Sequence, residues 1–199
     1  MSAAPGGTQA PAARAAGSLR LFFALQPDPA ARQALGALAR DIARETGGRA
    51  TPAENLHVTL VFLGRVPPSH VAQVEAAGAR AAAVGEPFAL ALDQVGWFRR
   101  AGVAWAGPRA VPPALWHIFG ALCGALEEAG FVLEARPFDP HLTLARRSVR
   151  PPAERNAFRA QWSADAIVLM ASETLPAGPV YRALASWRLG EHAGPPPSE

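Results

Sequence analysis

Apolar positions along this chain alternate between two periods, and each change of period marks an element. Residues 19–25 form a short apolar run interrupted only by Arg20 and closed by Pro27 and Pro29, which predicts a buried strand. From Asp28, a capping residue, Leu35, Leu38 and Ile42 recur at helical spacing to about Thr46, where Gly47 and Gly48 stop the helix. A second strand is predicted over 57–64 and a second helix over about 68–84, with Ser69 near its start and Val71 and Val74 on one face. Residues 88–98 and 102–107 predict two strands joined by a turn at 99–102.

The order then partly recurs. Pro112 and Pro113 open a helix that ends at Gly130, with Leu115, Ile118, Leu122 and Leu126 on its apolar side. A strand lies within 137–146, a short helix or turn over 151–158, and further strands over 164–174 and 180–189. Helices and hairpin-like strand pairs are intermixed, without the regular alternation of a doubly wound sheet. The pattern therefore predicts an α+β fold of two similar lobes over residues 18–190. Residues 1–17 and 191–199, rich in Ala, Pro and Gly, hold too few large apolar side chains to offset the entropy of ordering them and are expected to be disordered tails.

Composition narrows the chemistry. All 19 basic side chains are arginine, and the chain has no lysine. That excludes a P-loop, a Schiff-base or pyridoxal-phosphate enzyme, and a nucleotidyltransferase working through a lysyl adenylate. The single cysteine, Cys123, allows no internal disulfide and points to a reducing compartment. No stretch has the continuous apolar run of a signal peptide or a membrane span, so the expected location is the cytoplasm, away from any membrane. A net charge of +3 permits an anionic partner.

The informative feature is a duplication. His57-Val58-Thr59-Leu60 and His141-Leu142-Thr143-Leu144 both follow the form His, apolar, Thr, apolar, and both fall on predicted strands. Successive strand residues face opposite ways, so each strand presents an imidazole and a hydroxyl about 7 Å apart on one face and two apolar anchors on the other. Neither motif has a carboxylate, thiolate or second histidine at ligand spacing, which argues against a metal site; Asp139 shares the register of His141, but Pro140 interrupts the strand. Two histidines across a cleft suit in-line displacement at phosphorus. One imidazole takes the proton of water, the other protonates the departing alkoxide, and the threonines donate to the phosphate oxygens. No metal or cofactor is required. The residues alone do not say which histidine is acid and which is base.

On these motifs the chain resembles the 2H phosphoesterases, and more narrowly the bacterial and archaeal RNA 2′,3′-cyclic phosphodiesterases, historically called 2′-5′ RNA ligases. The flanks that carry the narrower likeness are residues 20–25, Asn55-Leu56, Phe62-Leu63-Gly64, Arg136-Pro137-Phe138-Asp139-Pro140, Tyr181, Leu184 and Trp187. The resemblance implies a bilobal fold, two lobes of antiparallel sheet with helices outside and a cleft between them. It implies hydrolysis of a terminal 2′,3′-cyclic phosphate on RNA to a 2′-phosphomonoester, together with a reversible 2′-5′ ligation in which a 5′-hydroxyl takes the place of water. In that reading His57 is the general acid, His141 the general base, and Thr59, Thr143 and Arg146 hold the phosphate. Without lysine, any ligation would have to be the two-histidine transesterification run backwards.

Other readings stay open. The substrate could be a small cyclic nucleotide, an ADP-ribose derivative or a 2′,5′-linked oligonucleotide. The fold could also serve as a binding module for RNA or nucleotides, although a pure binder has no need of two proton-transfer groups. Trp97, Phe98 and Trp105 either pack in the core or offer a stacking platform for a base. Arg99, Arg100, Arg147 and Arg150 form small basic groups that either contact an RNA backbone or sit in solvent. His70, His117 and His192 are expected to be exposed, structural and in the tail respectively, and Cys123 to be a small core residue.

Overall fold

The computed structural model describes residues 17–135, 137–155, 158–175 and 178–191. Residues 1–16 and 192–199, which carry most of the expected tails and His192, lie outside that set, as does Arg136.

The element order is β1 (Leu19–Leu25), α1 (Pro29–Thr46), β2 (Arg49–Ala50), β3 (Val58–Val66), α2 (Val71–Ala83), β4 (Phe88–Leu92), β5 (Gln94–Phe98), β6 (Val103–Gly107), α3 (Pro113–Glu128), β7 (Leu142–Arg146), β8 (Ala160–Ala164), β9 (Ala166–Leu175) and β10 (Gly178–Arg188). Seven strands form a sheet in the order β10-β9-β1-β3-β7-β6-β5, with β2 added to β7, and β4 and β8 form a separate pair. Every pairing is antiparallel. The fold is α+β, as the pattern predicts.

Two halves are visible within the large sheet. One is β10-β9-β1-β3, the other is β7-β6-β5 with β2, and they meet where Val58 of β3 pairs with Leu142 of β7. The predicted lobes therefore share a continuous sheet rather than two separate ones.

The three helices pack against an apolar core built from one face of the strands. On β1, Leu21, Phe23 and Leu25 join that core, while Phe22 and Ala24 turn to the opposite face and cluster with Val168, Met170 and Tyr181. Helix α1 starts where the Asp28 carboxylate accepts from the Ala31 amide at 2.8 Å, with Pro29 at the first position, and ends at Gly47 in the left-handed region (φ 68°). Leu115, Ile118, Leu122 and Leu126 of α3 are all fully buried, as their spacing predicts. Gly78 lets α2 lie directly on the sheet: a Cβ there would come within 2.7 Å of both Phe23 and Trp187.

Two expectations are corrected and a third is narrowed. Residues 88–98 are two strands in two sheets, because at Asp93 the backbone amide bonds to Gly107 and the carboxylate accepts from the Arg109 amide, turning the chain from β4 into β5. A strand not expected at all, β8, precedes β9; its buried alternate residues Ala160, Trp162 and Ala164 pair with β4. The described residues of 151–158 form no helix, and of the helix or turn expected there only a turn bond is present, from the Phe158 amide to the Arg155 carbonyl at 3.3 Å. That segment is tethered instead to Glu45, which bonds the Ala153 amide and pairs with Arg155, while its carbonyl accepts from Arg150.

Candidate active site

The face of the sheet without helices carries the two histidine motifs. Val58 and Leu142 are fully buried on the helix side and paired, so the antiparallel register sets His57 across from Thr143 and Thr59 across from His141. The four side chains mark the corners of a small rectangle, with the histidines on one diagonal and the threonines on the other. All four line a single open cleft of about 620 Å³, together with Arg20, Phe22, Phe98, Arg146 and Tyr181. Neither threonine hydroxyl bonds to another group of the described residues, leaving both free to donate.

The two imidazoles are held alike. His57 Nδ1 lies 2.8 Å from the carbonyl oxygen of Asn55, and His141 Nδ1 lies 2.7 Å from that of Asp139. A carbonyl only accepts, so in both rings Nδ1 carries the proton and Nε2 is left for chemistry. Each ring also rests on aromatic edges. His57 has Phe22 at 4.9 Å and Tyr181 at 5.1 Å, the latter edge-on, while His141 has Phe98 at 4.9 Å, also edge-on, and Trp105 at 6.3 Å. Asn55 is fixed in turn by a bond from its side-chain amide to the Pro179 carbonyl, 3.1 Å.

His57 sits below its ordinary pKa of 6.5. Burial is the main cause, Arg146 and His141 add like-charge repulsion, and the bond to Asn55 opposes both.

Of the aromatic candidates, Phe98 and Trp105 stack on each other at 5.4 Å beside His141. Trp105 packs directly on Gly96, where a Cβ would come within 2.1 Å of the indole. Trp97 lines neither this cleft nor the cavity beside it, and by strand alternation shares the face of Val95 rather than of Phe98. Arg146 lines the cleft. Of the remaining arginines, Arg147 lines the neighbouring cavity, whereas Arg99, Arg100 and Arg150 line neither. His70 and His117 are exposed and outside the site, His117 standing on the surface of α3 rather than in its packing, and Cys123 is half-buried against the core with burial pushing its thiol up.

The reading from sequence missed the backbone carbonyls of Asn55 and Asp139 and the rings of Phe22 and Tyr181. The signal was present in part: both carbonyls lie two residues before a motif histidine. Among the described residues no group of three His, Cys, Asp or Glu side chains could hold a metal ion.

An antiparallel sheet that brings two His-x-Thr strands together at one seam defines a phosphoesterase of the 2H class. The family model for LigT-like phosphoesterases matches residues 25–105. An RNA 2′,3′-cyclic phosphodiesterase of Thermus thermophilus is 32% identical over 183 residues, 87% of this chain and 92% of the relative. One of Escherichia coli is 32% identical over 177 residues, 85% and 96% of the two chains. The crystal structure of Escherichia coli LigT complexed with 3′-AMP superposes with a TM-score of 0.75 at 28% identity, covering 87% of this chain and 99% of that one. The chain belongs to this family, the LigT-like RNA 2′,3′-cyclic phosphodiesterases. No helix among the described residues is long and apolar enough to cross a membrane.

Proposed function

We propose that this protein hydrolyses the terminal 2′,3′-cyclic phosphate of RNA to a 2′-phosphomonoester by metal-independent acid-base catalysis between His57 and His141. The observation that carries the reading is the seam: Val58 paired with Leu142 gathers on one face two Nε2 atoms and two hydroxyls that have no partner among the described residues. In this mechanism the phosphate lies inside the rectangle. Thr59 and Thr143 donate to its non-bridging oxygens, and Arg146 supplies the permanent positive charge.

His141 Nε2 takes a proton from water as the water attacks phosphorus. His57 Nε2 gives a proton to the 3′-oxygen as the P–O3′ bond breaks. The products are a 2′-phosphomonoester and a free 3′-hydroxyl, with one water consumed. Burial favours neutral His57 when no anion is beside it, and the arriving phosphate supplies the opposite charge that favours its imidazolium. Substrate and acid proton thus arrive together.

The test is product identity. Purified protein incubated with chelator and an RNA ending in a 2′,3′-cyclic phosphate should yield the 2′-phosphate. A 3′-phosphate, or loss of turnover with chelator, would overturn the mechanism.

A further inference from the structure

A second cavity, about 390 Å³, opens beside the cleft and shares His57, Thr143, Arg146 and Tyr181 with it. His141 does not line it. Its distinctive lining is three guanidinium groups, those of Arg49, Arg146 and Arg147. Among the described residues Glu54 is the one carboxylate that lines it, and none of the three guanidinium groups bonds to or pairs with another group.

This gathering of charge is built by the backbone. Gly48, where a Cβ would come within 2.9 Å of the Arg146 carbonyl and 2.7 Å of Ser148 Oγ, lets β2 lie against β7. The pairing then puts Arg49 directly opposite Arg146. Like charges directly opposite in a sheet repel, so the arrangement costs stability unless an anion lies between them. Arg147 adds a second cost. It is the one non-glycine residue with positive φ (57°) among those described, and it is kept there by the bonds of its neighbour Ser148 to Gly102 and Thr46.

We infer that Arg49 and Arg147 form a second phosphate subsite, which binds the phosphate on the 5′-oxygen of the nucleotide whose cyclic phosphate is opened. The inference rests on the proposed reaction. If His57 protonates the departing 3′-oxygen, the ribose bearing that oxygen lies on the His57 side, and its 5′-substituent extends toward the cavity that His57 lines and His141 does not. A phosphate there matches the guanidinium fork and relieves the repulsion between Arg49 and Arg146. The subsite makes the end of an RNA strand a better substrate than a bare nucleoside cyclic phosphate, because the strand carries an anion at that place.

Three substrates test this: adenosine 2′,3′-cyclic phosphate, the same nucleotide with a 5′-phosphate, and a diadenylate ending in a 2′,3′-cyclic phosphate. Arg49→Ala and Arg147→Gly should each raise KM about tenfold for the two substrates with a second phosphate, with little change in kcat and none for the bare nucleoside. Arg147→Gly also relaxes the left-handed backbone, so a thermal melt no lower than wild type shows that the KM effect is not lost folding. A rise in KM for the diadenylate alone assigns the subsite to an internucleotide phosphodiester, and a rise for both assigns it to any 5′-phosphate. Equal effects on all three substrates, or none on any, would overturn the subsite while leaving the reaction intact. Wild-type protein that turns over none of the three would overturn the reaction itself.

Discussion

His57 faces Thr143 across the seam of the sheet, and by the same register His141 faces Thr59. Each strand therefore brings one proton-transfer group and one hydroxyl to a shared point, and neither half of the molecule holds a complete site. The two anchors that set this register, Val58 and Leu142, are apolar and fully buried on the other face. Packing of the core thus fixes the geometry of the chemistry.

The two histidines should be separable by leaving group. His57→Ala and His141→Ala should each lower kcat on a cyclic-phosphate end by roughly 10²–10⁴-fold. On an aryl phosphodiester, whose phenolate leaves without being protonated, His57→Ala should cost less than about tenfold while His141→Ala keeps its full loss. Steady-state rates on the two substrates decide this; equal losses for both variants on the aryl ester would contradict the assignment of acid and base.

The pH profile carries the signature of His57. Its pKa is held below 6.5 by burial, Arg146 and His141, so one limb of the bell-shaped kcat/KM profile should fall below pH 6.5. Arg146→Ala removes a like charge and should move that limb to higher pH. The same shift acts on stability. Between pH 6.5 and the lower folded pKa the unfolded chain binds more protons at this site, so its contribution is present above pH 6.5 and is lost as pH falls through the folded pKa. A limb at or above 6.5, or an acid shift on removing Arg146, would count against the electrostatic account.

Among the described residues neither threonine hydroxyl has a hydrogen-bond partner. Thr59→Val and Thr143→Val keep the side-chain volume and should each cost about 1.5–3 kcal/mol of transition-state binding, seen as a drop in kcat/KM. The pH limb of His57 should remain in place in both variants. Loss of folding, measured by circular dichroism, would instead mark the hydroxyls as structural.

Gly96 connects the sheet to the site through Trp105. A Cβ at that position overlaps the indole, so Gly96→Ala should force Trp105 away from His141 and cost roughly 1–3 kcal/mol of stability. Trp105→Leu in the same background should restore the melting temperature. If Gly96→Ala leaves both melting temperature and rate unchanged, Trp105 has no part in holding His141.

Much of the site was legible because its signal is local. The period of two places His57 with Thr59 and His141 with Thr143, and the caps at Asp28 and Gly47 bound α1 without reference to anything distant. Trp97 and Phe98 were also separable in principle, since neighbours on a strand cannot face the same cleft. What stayed hidden depends on pairing across the chain. Nothing near Val58 names Leu142 as its partner, and β2 is only two residues long and exists because Gly48 fits against β7. The division of residues 88–98 turns on Asp93 meeting Gly107 and Arg109, and β8 was obscured because alanine supplies two of its three buried positions. The arginine cavity was hidden for the same reason, its lining coming from segments around Arg49, Arg146 and Tyr181.

The most direct test of the two-histidine account is the single-turnover rate, with chelator present, on an RNA ending in a 2′,3′-cyclic phosphate, measured for wild type and for the doubly substituted His57→Ala, His141→Ala protein. The account predicts fast conversion to the 2′-phosphate by wild type and a loss of at least roughly 10²-fold in the folded double variant. Conversion at the wild-type rate without the two imidazoles would contradict it.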